Sequence, residues 1–153
     1  MRRVGLPPRP VPYRRRPGAY AVIRRGRRVL VTEQTGEVVE VQLPGGGLDP
    51  GEGPLAALHR EALEETGTRI RIVRRLGVYR RFAWMPEYAI YAEKICHIYL
   101  AEAGLRVGAP IEADHRALWL DAARAVDTLT VPADAAFVAR VFGLPHKTAF
   151  QER

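Results

Sequence analysis

Three glutamates, Glu61, Glu64 and Glu65, stand at spacings i, i+3 and i+4 in a stretch that reads as helix, so their carboxylates share a face about 100° wide. Like charges so placed repel by roughly 0.3 kcal/mol per pair, and the nearest cation on this helix is Arg60, on the flank of Glu64. Such a face suits a hard divalent cation. Mg²⁺ takes oxygen ligands and keeps positions for water and for substrate phosphates. On the helix alone, a solvated acidic face that tolerates the repulsion accounts for the same residues. The stretch ahead of it bears on the choice. Gly45-Gly46-Gly47 directly follows a strand candidate, where glycine lets the backbone approach a ligand closely and a free carbonyl completes a metal shell.

The elements that must position these groups are legible in outline. Ala19 to Ile23 and Arg28 to Thr32 are β-rich runs split by Arg25-Gly26-Arg27, which predicts a hairpin. Val38 to Leu43 is a further strand candidate, ended by Pro44 and the glycines. A helix is expected from about Pro54 to Thr66, with Pro in its first turn and Gly67 at C′. Leu55, Leu58 and Ala62 fall within about 60° of one another and form its expected buried stripe. Strands are expected over Ile70–Val73, Leu76–Tyr79, Ile95–Leu100 and Leu118–Leu120, and a last helix over Ala133–Phe142. A loop holding Trp84, Met85 and Pro86 precedes Ile95, and Asp121 is placed to cap a helix.

The decisive feature is combined spacing. Gly46, Glu52, Arg60-Glu61, Glu64-Glu65 and Gly67 fill every charged and glycine position of the signature box of the Nudix hydrolases, which Gly46 to Thr68 resembles. Two apolar slots depart, holding Ala62 and Thr68, and neither touches a proposed ligand. The resemblance implies an α/β fold, the family's α/β/α sandwich around a curved mixed β-sheet, over residues 18–145. It leaves 1–17 as a flexible Arg/Pro-rich arm, with five prolines, and 146–153 as a tail.

Carried over to this chain, the resemblance implies that Glu64 and Glu65 are the principal ligands of Mg²⁺ or Mn²⁺. Glu61 is a ligand or the base that activates water. Arg60 orients Glu61 and pairs with a structural Glu52, and the Gly45 carbonyl faces the metal. A further carboxylate is implied a few residues ahead of Trp119, with Glu112 first choice and Asp114 second; two solvated loop acids account for them equally. His97 and His115 are left outside the mechanism. The implied reaction is hydrolysis of a nucleoside diphosphate linked to another moiety, by attack of water at phosphorus.

Composition bounds the rest. The chain has 153 residues, 47% apolar and 27% charged, enough for one domain. A net charge of +7 points to an anionic partner. Of the 24 basic residues 22 are Arg, which grip phosphate bidentately, although a base-composition bias gives the same count. Arg69, Arg71, Arg74, Arg75, Arg80 and Arg81, with the first-strand arginines, either ring the site or form a solvated outer face. Phe82, Trp84, Tyr88 and Tyr91 are expected in the long loop, to stack a base or to pack. Substrates in view are dinucleoside polyphosphates, diphosphoinositol polyphosphates and nucleoside triphosphates. One cysteine, Cys96, makes no internal disulfide, and no run approaches the length of a membrane span. The expectation is a soluble, cytoplasmic protein that meets no membrane, takes a phosphorylated nucleotide-like small molecule, and pairs with itself where its relatives dimerise. The rival readings are a non-catalytic Nudix-fold nucleotide- or RNA-binding module and an RNA-directed protein; without an RNA-recognition motif the charge alone argues little for nucleic acid.

Overall fold

A strand with apolar side chains on both sides is buried when helices cover both faces of its sheet, and Ala19 to Ile23 carry such side chains at nearly every position. The computed structural model describes residues 1–111, 114–146 and 150–151. Its strands are β1 (Arg2–Val4), β2 (Arg14–Arg25), β3 (Arg28–Gln34), β4 (Glu40–Gln42), β5 (Gly45–Gly47), β6 (Thr68–Met85), β7 (Ile90–Arg106), β8 (His115–Asp121) and β9 (Phe150–Gln151). Its helices are α1 (Pro54–Thr66), α2 (Ala122–Thr128) and α3 (Pro132–Phe142). The sheet runs β4-β3-β2-β7-β6-β1-β9, with β5 added to β2 and β8 to β3. β2 and β7 are parallel and most other pairs antiparallel, so the sheet is mixed. Ala19, Ala21 and Ile23 pack on one face with Leu58 and Ala62 of α1. Val22, Cys96, Ile98 and Tyr79 pack on the other with Phe137 and Val138 of α3. The result is the expected α/β/α sandwich. Among the described residues no helix is long and apolar enough to cross a membrane.

Helix α1 keeps its expected ends. Pro54 opens it, and Gly67, at φ 65°, donates its N–H to the Leu63 carbonyl at 2.9 Å. A Cβ on Gly67 would strike the Gly108 carbonyl, so the left-handed cap and the close approach both require glycine. The buried stripe differs from expectation. Leu55 is 50% exposed, and the residues turned inward are Ala57, Leu58, Ala62, Glu65 and Thr66. The face is phased by Leu58, Ala62 and Glu65 at i, i+4 and i+7, and an acid completes it.

Other differences have identifiable causes. Ile70–Val73 and Leu76–Tyr79 are parts of one strand, β6, whose register shifts at Ile72/Arg74 and Arg75/Gly77. Each irregularity breaks the two-residue alternation, so one strand reads as two. β6 and β7 continue into a long hairpin. Phe82, Trp84 and Tyr91 therefore lie on paired strands rather than in a loop, and Tyr88 alone of the four sits in the turn. Tyr13, Phe82 and Tyr91 meet edge to face at 4.8 and 5.8 Å. Residues 1–17, expected as a flexible arm, hold β1, which pairs in parallel with β6, and the first residues of β2. Four of the five prolines fall between β1 and β2, and Pro17 lies within β2 beside Ile95 of β7, a placement that composition does not disclose. In the expected tail, β9 pairs with β1. Asp121 occupies the N-cap of α2 but makes no side-chain bond to the helix.

Candidate active site

Three consecutive glycines, Gly45–Gly47, form a strand of their own here. β5 lies antiparallel to β2, with Gly45 beside Tyr20 and Gly46 beside Ala19. At Gly45, where φ is 146°, a Cβ would run into the Ala19 carbonyl. At Gly46 it would stand 2.5 Å from Glu61 Oε1. The missing side chains let the acids of α1 close directly onto backbone.

Arg60 organises those acids. Its Nε and Nη2 donate to the two oxygens of Glu52 at 2.9 and 2.8 Å. Nη1 donates to Glu61 Oε1 at 2.9 Å and to Glu64 Oε2 at 3.1 Å. Nη2 also reaches the Gly47 carbonyl at 3.1 Å. One planar fork thus joins the loop before the helix, two helix acids and β5, a task for which lysine lacks the donors. Arg60's hydrogen bonds, helped by the Asp49 N–H, hold the Glu52 carboxyl down at about 2. The pairing with Glu52 and Glu61 is the one the resemblance implies.

Glu65 is only 4% exposed. It accepts the Gly45 N–H at 2.8 Å, and its other oxygen lies 3.4 Å from His115 Nε2. His115 Nδ1 lies 3.2 Å from Asp114 Oδ1, and Gln34 Nε2 donates to Asp114 Oδ2 at 3.2 Å. The Gln34 amide and His115 keep the Asp114 carboxyl below its ordinary range. A chain Gln34–Asp114–His115–Glu65 therefore props the buried acid from β8 and β3. His115 was missing from the expected site. It stands two residues from Ala117 and four from Trp119, both packed on the α1 side, so a strand drawn back to 115 puts all three on one face.

Glu61, Glu65, His115, Tyr88, Arg16 and Lys94 line a cleft of about 260 Å³ beside β5. The residues fit Mg²⁺ or Mn²⁺ chemically, for Glu61, Glu64, Glu65 and the Gly45 carbonyl are all hard oxygen donors. Among the described residues no three His, Cys, Asp or Glu side chains converge on one point. Glu61 and Glu64 lean to Arg60, and Glu65 to the Gly45 N–H. Five expected site residues, Gly45, Arg60, Glu61, Glu64 and Glu65, are thus brought together. Glu112 lies outside the described residues. Asp114, the second choice for that role, supports His115 instead. Of the two readings of the arginines, the solvated outer face describes most of them: Arg69, Arg71, Arg74 and Arg75 are exposed, Arg80 pairs with Glu93 at 3.6 Å and Arg24 with Glu102 at 2.7 Å. The cleft takes its cations from Arg16 and Lys94.

Residues 14–141 match the model of the NUDIX domain. The chain is 37% identical over 103 residues to CMP-5'-(N-acetyl-N-hydroxy-3-aminopropyl)phosphonate hydrolase of Streptomyces rubellomurinus, covering 64% of this chain and 47% of that protein. It is 32% identical over 74 residues to a putative 8-oxo-dGTP diphosphatase of Bacillus subtilis, covering 48% and 50%. The chain therefore spans about half the length of these relatives. Its fold is similar to that of a NUDIX hydrolase from Nitrosomonas europaea, with TM-score 0.66, 21% identity, and coverage of 87% and 93%.

Proposed function

The chain belongs to the NUDIX family, and from that premise we propose that it is a metal-dependent hydrolase of a phosphoanhydride bond in a nucleotide-like substrate. The observation that carries this reading is the closure of α1 onto β5, with Glu61 against Gly46, Glu65 on the Gly45 N–H, and Arg60 tying Glu52, Glu61 and Glu64 together. A solvated acidic face needs none of these ties. The two relatives named above carry a nucleotide in the name of their substrate, in keeping with a nucleotide here.

In this reading Glu61, Glu64, Glu65 and the Gly45 carbonyl hold Mg²⁺ or Mn²⁺. The ion supplies neutralisation of phosphate oxygens and a lowered pKa for water. Glu61 takes the proton of the attacking water, a role open also to Glu112. Arg60 orients Glu61 and Glu64, and Glu52 fixes Arg60. His115, braced by Asp114, orients Glu65, as outer partners commonly orient ligands.

Glu65→Gln keeps the shape and removes the charge. With Mg²⁺ and a panel of nucleoside triphosphates and capped nucleoside diphosphates, it is expected to lower turnover about 10³-fold with unchanged circular dichroism. Mass spectrometry of products formed in ¹⁸O water identifies the bond cut. A variant within tenfold of the wild type overturns the reading.

A further inference from the structure

β7 carries Lys94 in a row that strand register makes cationic from side to side. Arg16 of β2 is its partner on one flank and Arg81 of β6 on the other. Directly opposed residues share a face, and like charges so opposed destabilise a sheet. On an outer surface water would screen them. Here all three are half-buried, and the Arg81 Nε is buried with no hydrogen-bond partner among the described residues. No described carboxylate makes an ion pair with Lys94 or Arg81, and the Arg16 guanidinium lies 4.5 Å over the Tyr88 ring. The acids nearest the row are Asp134 of α3, which accepts the Tyr79 hydroxyl at 2.9 Å, and the exposed Glu87 of the hairpin turn. Glu61 and Glu65 line the same cleft as Arg16 and Lys94 but are tied to Arg60 and to the Gly45 N–H. Burial, then Arg81, pushes the Lys94 ammonium below its ordinary value, as for a cation short of counter-charge.

Position says what the missing charge is. β5 flanks β2 on one edge and β7 on the other, so the acids at β5 and the cationic row lie across β2 from each other. Lys94 lines the 260 Å³ cleft and also, behind it, a cavity of about 20 Å³ closed by Tyr79, Cys96 and Asp134. That cavity has room for one water and none for a phosphoryl group. An anion therefore meets Lys94 from the cleft, and the chain it belongs to ends there. The cleft itself is smaller than pockets that enclose a whole drug-sized ligand. It suits a phosphate chain, with the nucleoside outside.

We propose that Arg16 and Lys94, backed by Arg81, bind the free terminal phosphoryl group of a nucleoside triphosphate, and that this row makes the site prefer such substrates over diphosphates capped at both ends. The inference rests on the phosphoanhydride-hydrolase reading and selects among its substrates.

The test compares GTP with ADP-ribose as Mg²⁺-dependent substrates, and follows binding of inorganic triphosphate by calorimetry in EDTA. Wild type is expected to favour GTP in kcat/KM. Lys94→Met is expected to lower the GTP-to-ADP-ribose ratio at least tenfold, mainly through KM for GTP, and to weaken triphosphate binding by a similar factor. Lys94→Arg is expected to stay within threefold on both. Arg16→Gln, in the cleft lining, must shift both quantities in the same direction as Lys94→Met, which keeps the test decisive where the Lys94 substitution fails to fold. An unchanged ratio and unchanged triphosphate binding in Lys94→Met or Arg16→Gln overturn the subsite while hydrolysis stands. Binding that depends on these residues, without turnover of either compound, sustains the subsite and overturns the hydrolase reading.

Discussion

The two faces of the sheet hold polar groups in opposite ways. On the α1 face, Glu52, Arg60, Glu61, Glu64 and Glu65 come from 14 consecutive residues, and each acid has a donor within hydrogen-bond distance. On the α3 face, Tyr20, Tyr79, Arg81, Lys94 and Asp134 come from four elements and surround a small cavity. Among the described residues the cations there lack ion pairs, and the acid is desolvated. One kind of side chain reports both environments. Arg60's fork holds the Glu52 carboxyl near 2, whereas burial pushes the Asp134 carboxyl up to about 6. A short local motif arrives with each acid hydrogen-bonded, although four carboxylates outnumber one guanidinium and leave charge for a cation. In a set assembled by strand register the cations lack such partners, and that imbalance marks where an anion is expected to supply charge.

The largest effect separating the faces is expected from Gly46→Ala. The added Cβ would stand 2.5 Å from Glu61 Oε1 and 2.7 Å from its Cδ, closer than real Cβ contacts come, so the carboxylate must leave β5. Turnover is expected to fall at least about 10²-fold, while the melting temperature moves by only a few degrees because the side chain displaced is at the cleft wall. Activity within threefold of wild type would mean that Glu61 does not work from this position.

That the α1 face is legible in the chain and the α3 face is not follows from the same difference. Residues one turn apart on a helix are neighbours whatever the tertiary fold, so the spacing of Arg60, Glu61, Glu64 and Glu65 already states who meets whom. Leu55 shows the limit: helical period offers it to the core, but the sheet takes Ala57 and Glu65 instead. The Arg16–Lys94–Arg81 row depends on pairing residues 78 positions apart in parallel strands, and register is set by the whole sheet. His115 belongs to the same class, for its partner Glu65 lies 50 residues away on another element. The glycine strand was disguised by composition, since triple glycine has low strand propensity and pairs here because side chains would not fit. The implied acid at Glu112 lies outside the described residues.

Asp134→Asn sharpens the comparison on the α3 side. A carboxyl whose native pKa is about 6 against an ordinary 3.8 contributes stability fully present below pH 3.8 and lost as pH rises through 6. The ionised, desolvated form then bears the cost. Two pKa units correspond to about 3 kcal/mol as an upper bound. Asparagine keeps an acceptor for the Tyr79 hydroxyl and cannot ionise. In chemical denaturation at pH 4 and pH 7, the variant is expected to lose less stability than wild type between the two values. An equal loss would show that Asp134 is not desolvated as its surroundings indicate.

The smallest effect, and the one of opposite sign, is expected from Glu52→Gln. Glu52 has a native pKa of about 2 against an ordinary 4.5, so its contribution is present above pH 4.5 and lost as pH falls through 2. Glutamine retains an oxygen for Arg60 Nε or for the Asp49 N–H but not both with full charge. Arg60 then holds Glu61 and Glu64 less firmly, and turnover is expected to fall about tenfold, as for other partners that orient a ligand from outside. The acid limb of the stability profile, between pH 4.5 and 2, is expected to flatten, where Asp134→Asn flattens the limb between 4 and 6. If both substitutions changed the same limb, the two faces would not differ in how they hold charge, and the contrast between acids tied by one guanidinium and a row without ion pairs would fail.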